Sequence, residues 1–154
     1  MSDFKVGYAK VNINPMLGSG VYGYYIPRFA KGFLDDLEAH VLALSCGGEK
    51  VLMFSIDAGS VQGEPYKQYV EKITEVTGLS KDKIFMSATH THTSPLQKKG
   101  AFEDNAELRE KYVEFLTQRL ADVAVLALND LKPAKMGFIE VTAPDRIAYI
   151  RRYK

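Results

Sequence analysis

The sequence has one cysteine, three histidines and no long apolar run, and each scarcity excludes a class of protein. A single cysteine, Cys46, excludes an internal disulfide. The first ten residues lack the apolar core of a signal peptide, and no apolar run is long enough to span a bilayer. We therefore expect a soluble, cytoplasmic protein, although a chain whose signal peptide had been removed would look the same.

An excess of charge of one sign is also missing. The formal net charge is +1, and the lysines and arginines are scattered, apart from a short basic run at residues 151–154. Proteins that bind nucleic acid or anionic membranes normally carry a basic patch. The composition therefore predicts neither partner. A hydrophobic content of 46% over 154 residues is enough for one domain with a buried core.

The hydrophobic pattern predicts a single α/β domain over residues 1–154, with a mixed sheet, a β-hairpin, a β-α-β unit and a long covering helix. A Gly- and Tyr-rich segment, residues 16–33, predicts a long loop, and such loops are often functional. The apolar stripe of the long helix, Leu116, Leu120 and Val123, should pack on the sheet. The pattern predicts a hairpin over residues 41–56, with its turn at Gly47-Gly48. The other predicted strands span residues 4–13, 84–88, 133–142 and 146–153, and the predicted helices span 64–78 and 105–129.

The β-α-β unit brings polar residues from distant parts of the chain to one edge of the sheet. Its two strands should be parallel neighbours, joined by a right-handed crossover. Asp57 follows the first of these strands, and His90 and His92 follow the second. Ligands of open α/β sheets bind outside the carboxyl ends of the strands. All three side chains should therefore face one crevice.

The spacing of the two histidines is compatible with a metal site. In an extended segment, residues two apart point to the same side, so His90 and His92 would present both imidazoles to one point. Imidazole is a good zinc ligand, and a nearby carboxylate such as Asp57 can ligate the metal or orient a ligating ring. Alternatively, the pair are surface-loop histidines with no partner, or one of them is a hydrogen-bonded polar group near the core. We interpret the third histidine, His40, as a strand residue beside an apolar run.

Several segments resemble, in order, the neutral/alkaline non-lysosomal ceramidase family and its bacterial relatives. Residues 88–95, ATHTHTSP, resemble the family's histidine motif THTHSGP, which follows a strand IFxSA as here. Residues 6–24 are similar to the opening GVGRADITPPLGxPMAGY, residues 32–44 to DPLYARALVL, and residues 51–57 to VLVSLD. Residues 147–154 are similar to ISYNRRYxxKDG of the bacterial branch. The resemblance covers nearly the whole chain.

The resemblance implies a zinc-dependent amidase that cleaves the N-acyl bond of a small-molecule or lipid amide such as ceramide. By resemblance, His90 occupies the position of a zinc ligand. His92 occupies that of a catalytic histidine, expected to contact the substrate or the attacking water. Asp57 would lie close by as an orienting carboxylate. Zinc is the cofactor that the family uses.

The sequence departs from the family in length and at three positions. Family members run to several hundred residues, and their remaining zinc ligands, a second histidine, a glutamate and a tyrosine, lie beyond Lys154. Thr93 and Ser94 replace Ser-Gly, and Ile150 replaces Asn. We therefore expect the N-terminal portion of a larger catalytic domain, with part of the site and with bare apolar surface through which it self-associates. The alternative is a non-catalytic α/β binding or interaction fragment without an assembled metal site.

Overall fold

The computed structural model describes residues 3–100 and 104–144. A short 3₁₀ helix, Lys81–Lys83, precedes the fourth strand. Within the described part of the chain, the other elements in order are β1 (Lys5–Asn12), β2 (Glu38–Cys46), β3 (Glu49–Ile56), α1 (Glu64–Thr77), β4 (Ile84–Ala88), α2 (Ala106–Asn129) and β5 (Lys132–Pro133).

The strands form one mixed sheet in the order β4-β3-β2-β1-β5. Strands β1, β2 and β3 are antiparallel neighbours, whereas β3 and β4 are parallel. The predicted α/β class, hairpin and β-α-β unit are therefore confirmed. The hairpin turn needs two residues with positive φ, and Gly47 and Gly48 supply them with φ of 58° and 85°.

Both helices lie on one face of the sheet. Helix α2 packs on β1 and β2, and α1 packs on α2. The predicted stripe is confirmed, because Leu116, Leu120 and Val123 are fully buried. They meet the apolar residues that alternate along the strands on that face, among them Val41, Leu52 and Phe54. None of the described helices is long and apolar enough to span a bilayer.

The helix ends follow their sequence signals. The Asn105 side chain accepts a hydrogen bond from the Leu108 backbone N–H (3.1 Å), which satisfies one of the free donors at the start of α2. Helix α1 has Pro65 in its first turn and ends at Gly78 in the left-handed conformation. Near the start of α2, the buried Tyr112 hydroxyl donates to the backbone carbonyl of Ile13 (2.9 Å), fixing the chain where it leaves β1.

The predicted strand over 133–142 is wrong for most of its length. Lys132 and Pro133 pair with β1, the Ala134 N–H adds one backbone hydrogen bond to the Phe4 carbonyl (3.1 Å), and residues 135–144 leave the sheet. Strand-forming residues gain stability only from a partner strand and a face to bury. The large apolar side chains of this segment have neither and are 75% to 93% exposed. The other C-terminal strand prediction, 146–153, lies outside the described residues.

We expect Leu120→Ala to lower the free energy of unfolding by about 2–5 kcal/mol, because it removes a fully buried side chain from the interface of helix and sheet. Urea unfolding measures the change. Leu126→Ala is the matched control on the same helix. Its side chain is 51% exposed, so its loss should change stability by less than about 0.5 kcal/mol. Equal losses in the two variants would contradict the described packing of α2.

Candidate functional site

The candidate site lies at the carboxyl ends of the parallel strands β3 and β4. The pairing aligns Ile56 with Ala88, and the Thr89 N–H extends it by donating to the Ile56 carbonyl (3.0 Å). Asp57 follows directly on β3, and the loop that contains both histidines follows β4. The crossover predicted from the sequence therefore brings together segments that are more than thirty residues apart.

The two imidazoles meet at the tip of this loop. The Nε2 atoms of His90 and His92 are 3.4 Å apart, and the ring centroids are 5.0 Å apart with an interplanar angle of 76°. The expectation of an extended segment is wrong at His90, whose φ is 60°. The chain turns there instead, as it leaves the sheet edge. The two rings lie close together as expected, but the backbone reaches this arrangement through a turn.

One hydrogen bond fixes the orientation of the His90 ring. Its Nδ1 lies 2.5 Å from the backbone carbonyl oxygen of Gly59. A carbonyl oxygen only accepts, so Nδ1 carries the hydrogen and donates it. In the neutral ring, Nε2 then has a free lone pair. Metal-bound histidines are usually held in this way, because the second nitrogen donates to a carbonyl or a carboxylate.

Asp57 holds the first residue of the histidine loop. Its Oδ1 accepts a hydrogen bond from the Thr89 hydroxyl (3.1 Å), and its Oδ2 accepts one from the Glu38 backbone N–H (3.0 Å). The carboxylate thereby ties the start of β2 to the end of β4. The described hydrogen bonds of the carboxylate are these two. Asp57 therefore positions His90 indirectly, by holding the neighbouring residue Thr89.

The long loop between β1 and β2 covers the histidines from one side. Its Tyr22 N–H donates to the Ser94 carbonyl (2.8 Å), and the Leu96 N–H donates to the Gly20 carbonyl (2.8 Å). The Tyr22 ring meets both imidazoles edge-on, at centroid distances of 5.9 Å to His90 and 5.8 Å to His92. The sequence indicated a functional loop here but did not single out Tyr22; the only signal was the density of Gly and Tyr.

Two glycines make room for these rings. A Cβ at Gly23 would lie 2.4 Å from Cγ of His92, and a Cβ at Gly59 would lie 2.0 Å from Cδ1 of Tyr22. Real Cβ atoms do not approach ring carbons so closely. The rings therefore sit where they do because both positions lack a side chain.

A cleft of ≈ 820 Å³ opens beside the histidine loop. Asp57 and Thr91 are among the residues that line it. The Arg28 guanidinium lies 4.2 Å from the centroid of the Tyr24 ring, a cation–π contact at the cleft wall. The lining combines apolar and charged side chains, among them Phe29, Phe33, Leu34, Lys31, Asp35 and Asp36. Small-molecule sites typically combine apolar walls with a few polar groups.

The donor set fits two corners of a zinc site. With Zn–N distances of about 2.0–2.1 Å, two nitrogens on a tetrahedral ion are separated by about 3.3–3.4 Å. The Nε2 atoms of His90 and His92 have this separation. Within residues 3–100 and 104–144, however, no group of three or more His, Cys, Asp or Glu side chains is placed to hold a metal ion. The described site therefore offers two imidazoles and leaves two corners open.

Solved structures with a similar fold extend these findings. Neutral ceramidase from Pseudomonas aeruginosa matches 84% of this chain with a TM-score of 0.69 and 18% sequence identity. The chain has the fold of a segment of neutral ceramidase. A second structure, described as ceramidase complexed with C2, matches the same share with a TM-score of 0.67 and 18% identity. The chain spans 22% of the length of each.

These matches agree with the resemblance of the sequence motifs at the level of the fold. No protein-family model matches the sequence, and no curated protein matches it. At 18% identity, a structural match establishes a shared fold and not a shared chemistry.

Gly23→Ala should disturb the histidine pair. The added Cβ clashes with the His92 ring, and a φ of 91° strains any residue other than glycine. We expect a loss of about 1–3 kcal/mol of stability, measured by urea unfolding, and shifted NMR signals of the His92 ring.

Gly32→Ala is the matched control from the same loop, since nothing lies within 4 Å of the added Cβ. It should change stability by less than about 0.5 kcal/mol and leave the ring signals in place. If the His92 signals were unchanged in Gly23→Ala, the described approach of the two residues would be wrong.

Proposed function

We propose that the chain is part of a zinc-dependent amide hydrolase of the ceramidase type, with His90 as a zinc ligand. The observation that carries the proposal is the His90 ring. Its Nδ1 is bound by the Gly59 carbonyl, and its Nε2 faces the Nε2 of His92 at 3.4 Å. The similarity of the fold to neutral ceramidase supports the same reading.

Each of the site residues would have its own role in the proposed reaction. When bound, zinc polarises an amide carbonyl and activates water for attack. His90 supplies a ligand nitrogen, and the Gly59 carbonyl keeps that nitrogen aimed at the ion. His92 stands close enough either to share the ion or to exchange a proton with the substrate or the attacking water. Asp57 is a positioning residue, because it holds the loop through Thr89.

The cleft beside the site supports an amide substrate with an apolar part. Its lining includes apolar side chains, such as Phe29 and Phe33, together with Thr91 of the histidine loop. A substrate with an apolar chain would contact these apolar side chains with that chain and the histidine loop with its amide. We propose a small-molecule or lipid amide on this basis.

A non-catalytic binding or interaction fragment is the second candidate. Two imidazoles at 3.4 Å are also within reach of an N–H···N hydrogen bond, which would hold the ring pair together without a metal. A catalytic zinc usually has three protein ligands and water, and the described residues supply two imidazoles. Zinc binding at His90 discriminates between the two candidates.

Calorimetric titration of zinc into the full chain tests the proposal. We expect weak binding by the wild type and at least about tenfold weaker binding by His90→Ala, because each ligand supplies part of the coordination energy and orients the others. His40→Ala is the matched control, since it removes a histidine whose described side-chain partners are Tyr8 and Glu38 and not the two imidazoles of the site. It should bind zinc like the wild type. Indistinguishable isotherms for the wild type and His90→Ala would favour the non-catalytic candidate.

Zinc binding should also weaken as the pH is lowered. A protonated imidazole has no lone pair for the metal, so protons and zinc compete for the same nitrogens. Repeating the titration over a pH series, in buffers of different ionisation enthalpy, measures both the affinity and the protons released. An affinity that stays constant down to about pH 5 would show that the ligands are not histidines.

A further inference from the structure

A buried tyrosine on helix α1 contacts the far end of the histidine loop. The Tyr69 side chain is fully buried, and its hydroxyl donates a hydrogen bond to Oε1 of Gln97 (3.0 Å). Gln97 follows His92 in the same loop, just beyond Pro95. The hydrogen bond therefore ties the loop that carries both histidines to the helical layer.

Burial makes the hydrogen bond between Tyr69 and Gln97 costly to lose. It raises the pKa of Tyr69 well above the usual value of a tyrosine, so the hydroxyl stays protonated and remains a donor. A buried polar group that loses its partner bears the full cost of its desolvation. In the described structure, the Gln97 side chain is the partner of this hydroxyl.

A second hydrogen bond joins the same two parts of the chain. Gly59 and Tyr69 belong to the crossover between β3 and β4, whereas His90 and Gln97 belong to the loop that follows β4. The Gly59 carbonyl accepts a hydrogen from Nδ1 of His90 (2.5 Å). The crossover and the histidine loop are thus linked at two separate points, one of them at a ring of the candidate site.

Two links fix an orientation that one link leaves free. Two segments joined by a single hydrogen bond can pivot about it, and a second bond some distance away prevents the rotation. Helix α1 is a firm anchor for the second bond because it packs on α2, and rigid elements hold functional groups more precisely than loops do.

Gln97 also lies close to the groups that contact His90. Together with Gly59 and Tyr22, it lines a small cavity of ≈ 70 Å³. Gly59 provides the carbonyl that binds the His90 ring, and the Tyr22 ring meets the His90 ring edge-on. A displacement of Gln97 would therefore be felt by both neighbours of this imidazole.

We propose that Tyr69 is a positioning residue for the two histidines. Its hydroxyl fixes Gln97, and Gln97 keeps the histidine loop in the orientation in which the Gly59 carbonyl reaches Nδ1 of His90. The consequence for zinc rests on the proposed function, because a ring held in this way presents Nε2 to the ion. The effect on the ring itself is independent of zinc and is measurable in metal-free protein.

NMR spectra of the histidine rings in the metal-free chain test the proposal. At a pH at which the rings are neutral, correlation of ring hydrogens with ring nitrogens shows which nitrogen of His90 carries the hydrogen. The bond to Gly59 selects Nδ1. In Tyr69→Phe we expect a smaller share of this tautomer and shifted His92 signals, because the loop is then free to turn away from Gly59.

The third histidine serves as an internal reference in the same spectra. The His40 ring is bound by Tyr8 and Glu38, so its signals should stay in place in Tyr69→Phe. Spectra of His90→Ala and His92→Ala assign the signals of the other two rings.

Tyr112→Phe is the matched control. Tyr112 is also fully buried, and its hydroxyl donates to the Ile13 carbonyl (2.9 Å), outside the histidine loop. Each variant loses one buried hydroxyl and its hydrogen bond, so urea unfolding should show comparable losses of stability. The His90 and His92 signals should change in Tyr69→Phe alone.

Gln97→Leu removes the other partner of the bond, and it tests the proposal even if Tyr69→Phe fails to fold. Circular dichroism checks the folding of each variant. Gln97→Leu should shift the His90 and His92 signals in the same direction as Tyr69→Phe. The double variant should shift them no further than the larger of the two single changes, because both substitutions remove the same hydrogen bond.

Zinc titration distinguishes this inference from the proposed function. Where the wild type binds zinc, Tyr69→Phe should weaken the affinity at least about threefold, which is less than the about tenfold or more expected when a ligand loses its direct partner. Tyr112→Phe should bind like the wild type. A wild type that binds no zinc would contradict the proposed function and leave the ring signals to decide on Tyr69.

Two results would overturn the inference, whether or not zinc binds. The first is unchanged His90 and His92 signals in folded Tyr69→Phe or Gln97→Leu. The second is an equal change of these signals in Tyr112→Phe, since the effect would then follow from any loss of a buried hydroxyl.

Discussion

The candidate site depends on the parallel pairing of β3 with β4. Parallel strands need a crossover, and here helix α1 provides it and packs on α2. The pairing places Ala88 beside Ile56, so that the residues that follow the two strands emerge side by side. The Thr89 hydroxyl then reaches the Asp57 carboxylate (3.1 Å) and joins the two chain segments just before the histidines. The positions of both imidazoles follow from this junction.

The loop between β1 and β2 packs against this junction and covers the two histidines from one side. Its backbone bonds the histidine loop at Tyr22 and at Gly20, and the Tyr22 ring fills the space beside the two imidazoles. This packing needs bare backbone at Gly23 and Gly59, where any side chain would collide with a ring. A segment that looks irregular in sequence is thus held to the sheet by contacts at specific residues, which explains its high content of small and aromatic residues.

Much of the fold could be predicted from the sequence because its signals are local. The Gly47-Gly48 turn and the apolar stripe of α2 each act within a few residues, and both predictions are confirmed. The strand predicted at 133–142 failed because strand formation needs a partner, which no local pattern reveals. The contact of Tyr22 with the histidines was missed for the same reason, since the two segments are about seventy residues apart.

The closeness of the two histidine rings was predicted for a partly wrong reason. Their spacing indicated two rings at one point through an extended backbone, whereas the structure joins them through a turn at His90, with φ of 60°. The resemblance of residues 88–95 to the ceramidase motif compares sequences alone, so it does not depend on whether the backbone at His90 is extended or turned.

Metal binding and catalysis would make different demands on this chain. The Nε2 atoms of the two described imidazoles have the separation of two nitrogens on a tetrahedral zinc ion, and the Gly59 carbonyl holds the His90 ring in one orientation. Under the proposed function, this pre-orientation would lower the entropy lost on binding, so that a site with two protein ligands would take up the ion weakly. Catalysis would demand more, because the ion must also be held firmly while a carbonyl and a water approach its remaining positions. Affinity for zinc at His90 is therefore the part of the proposed function that depends most directly on the described geometry.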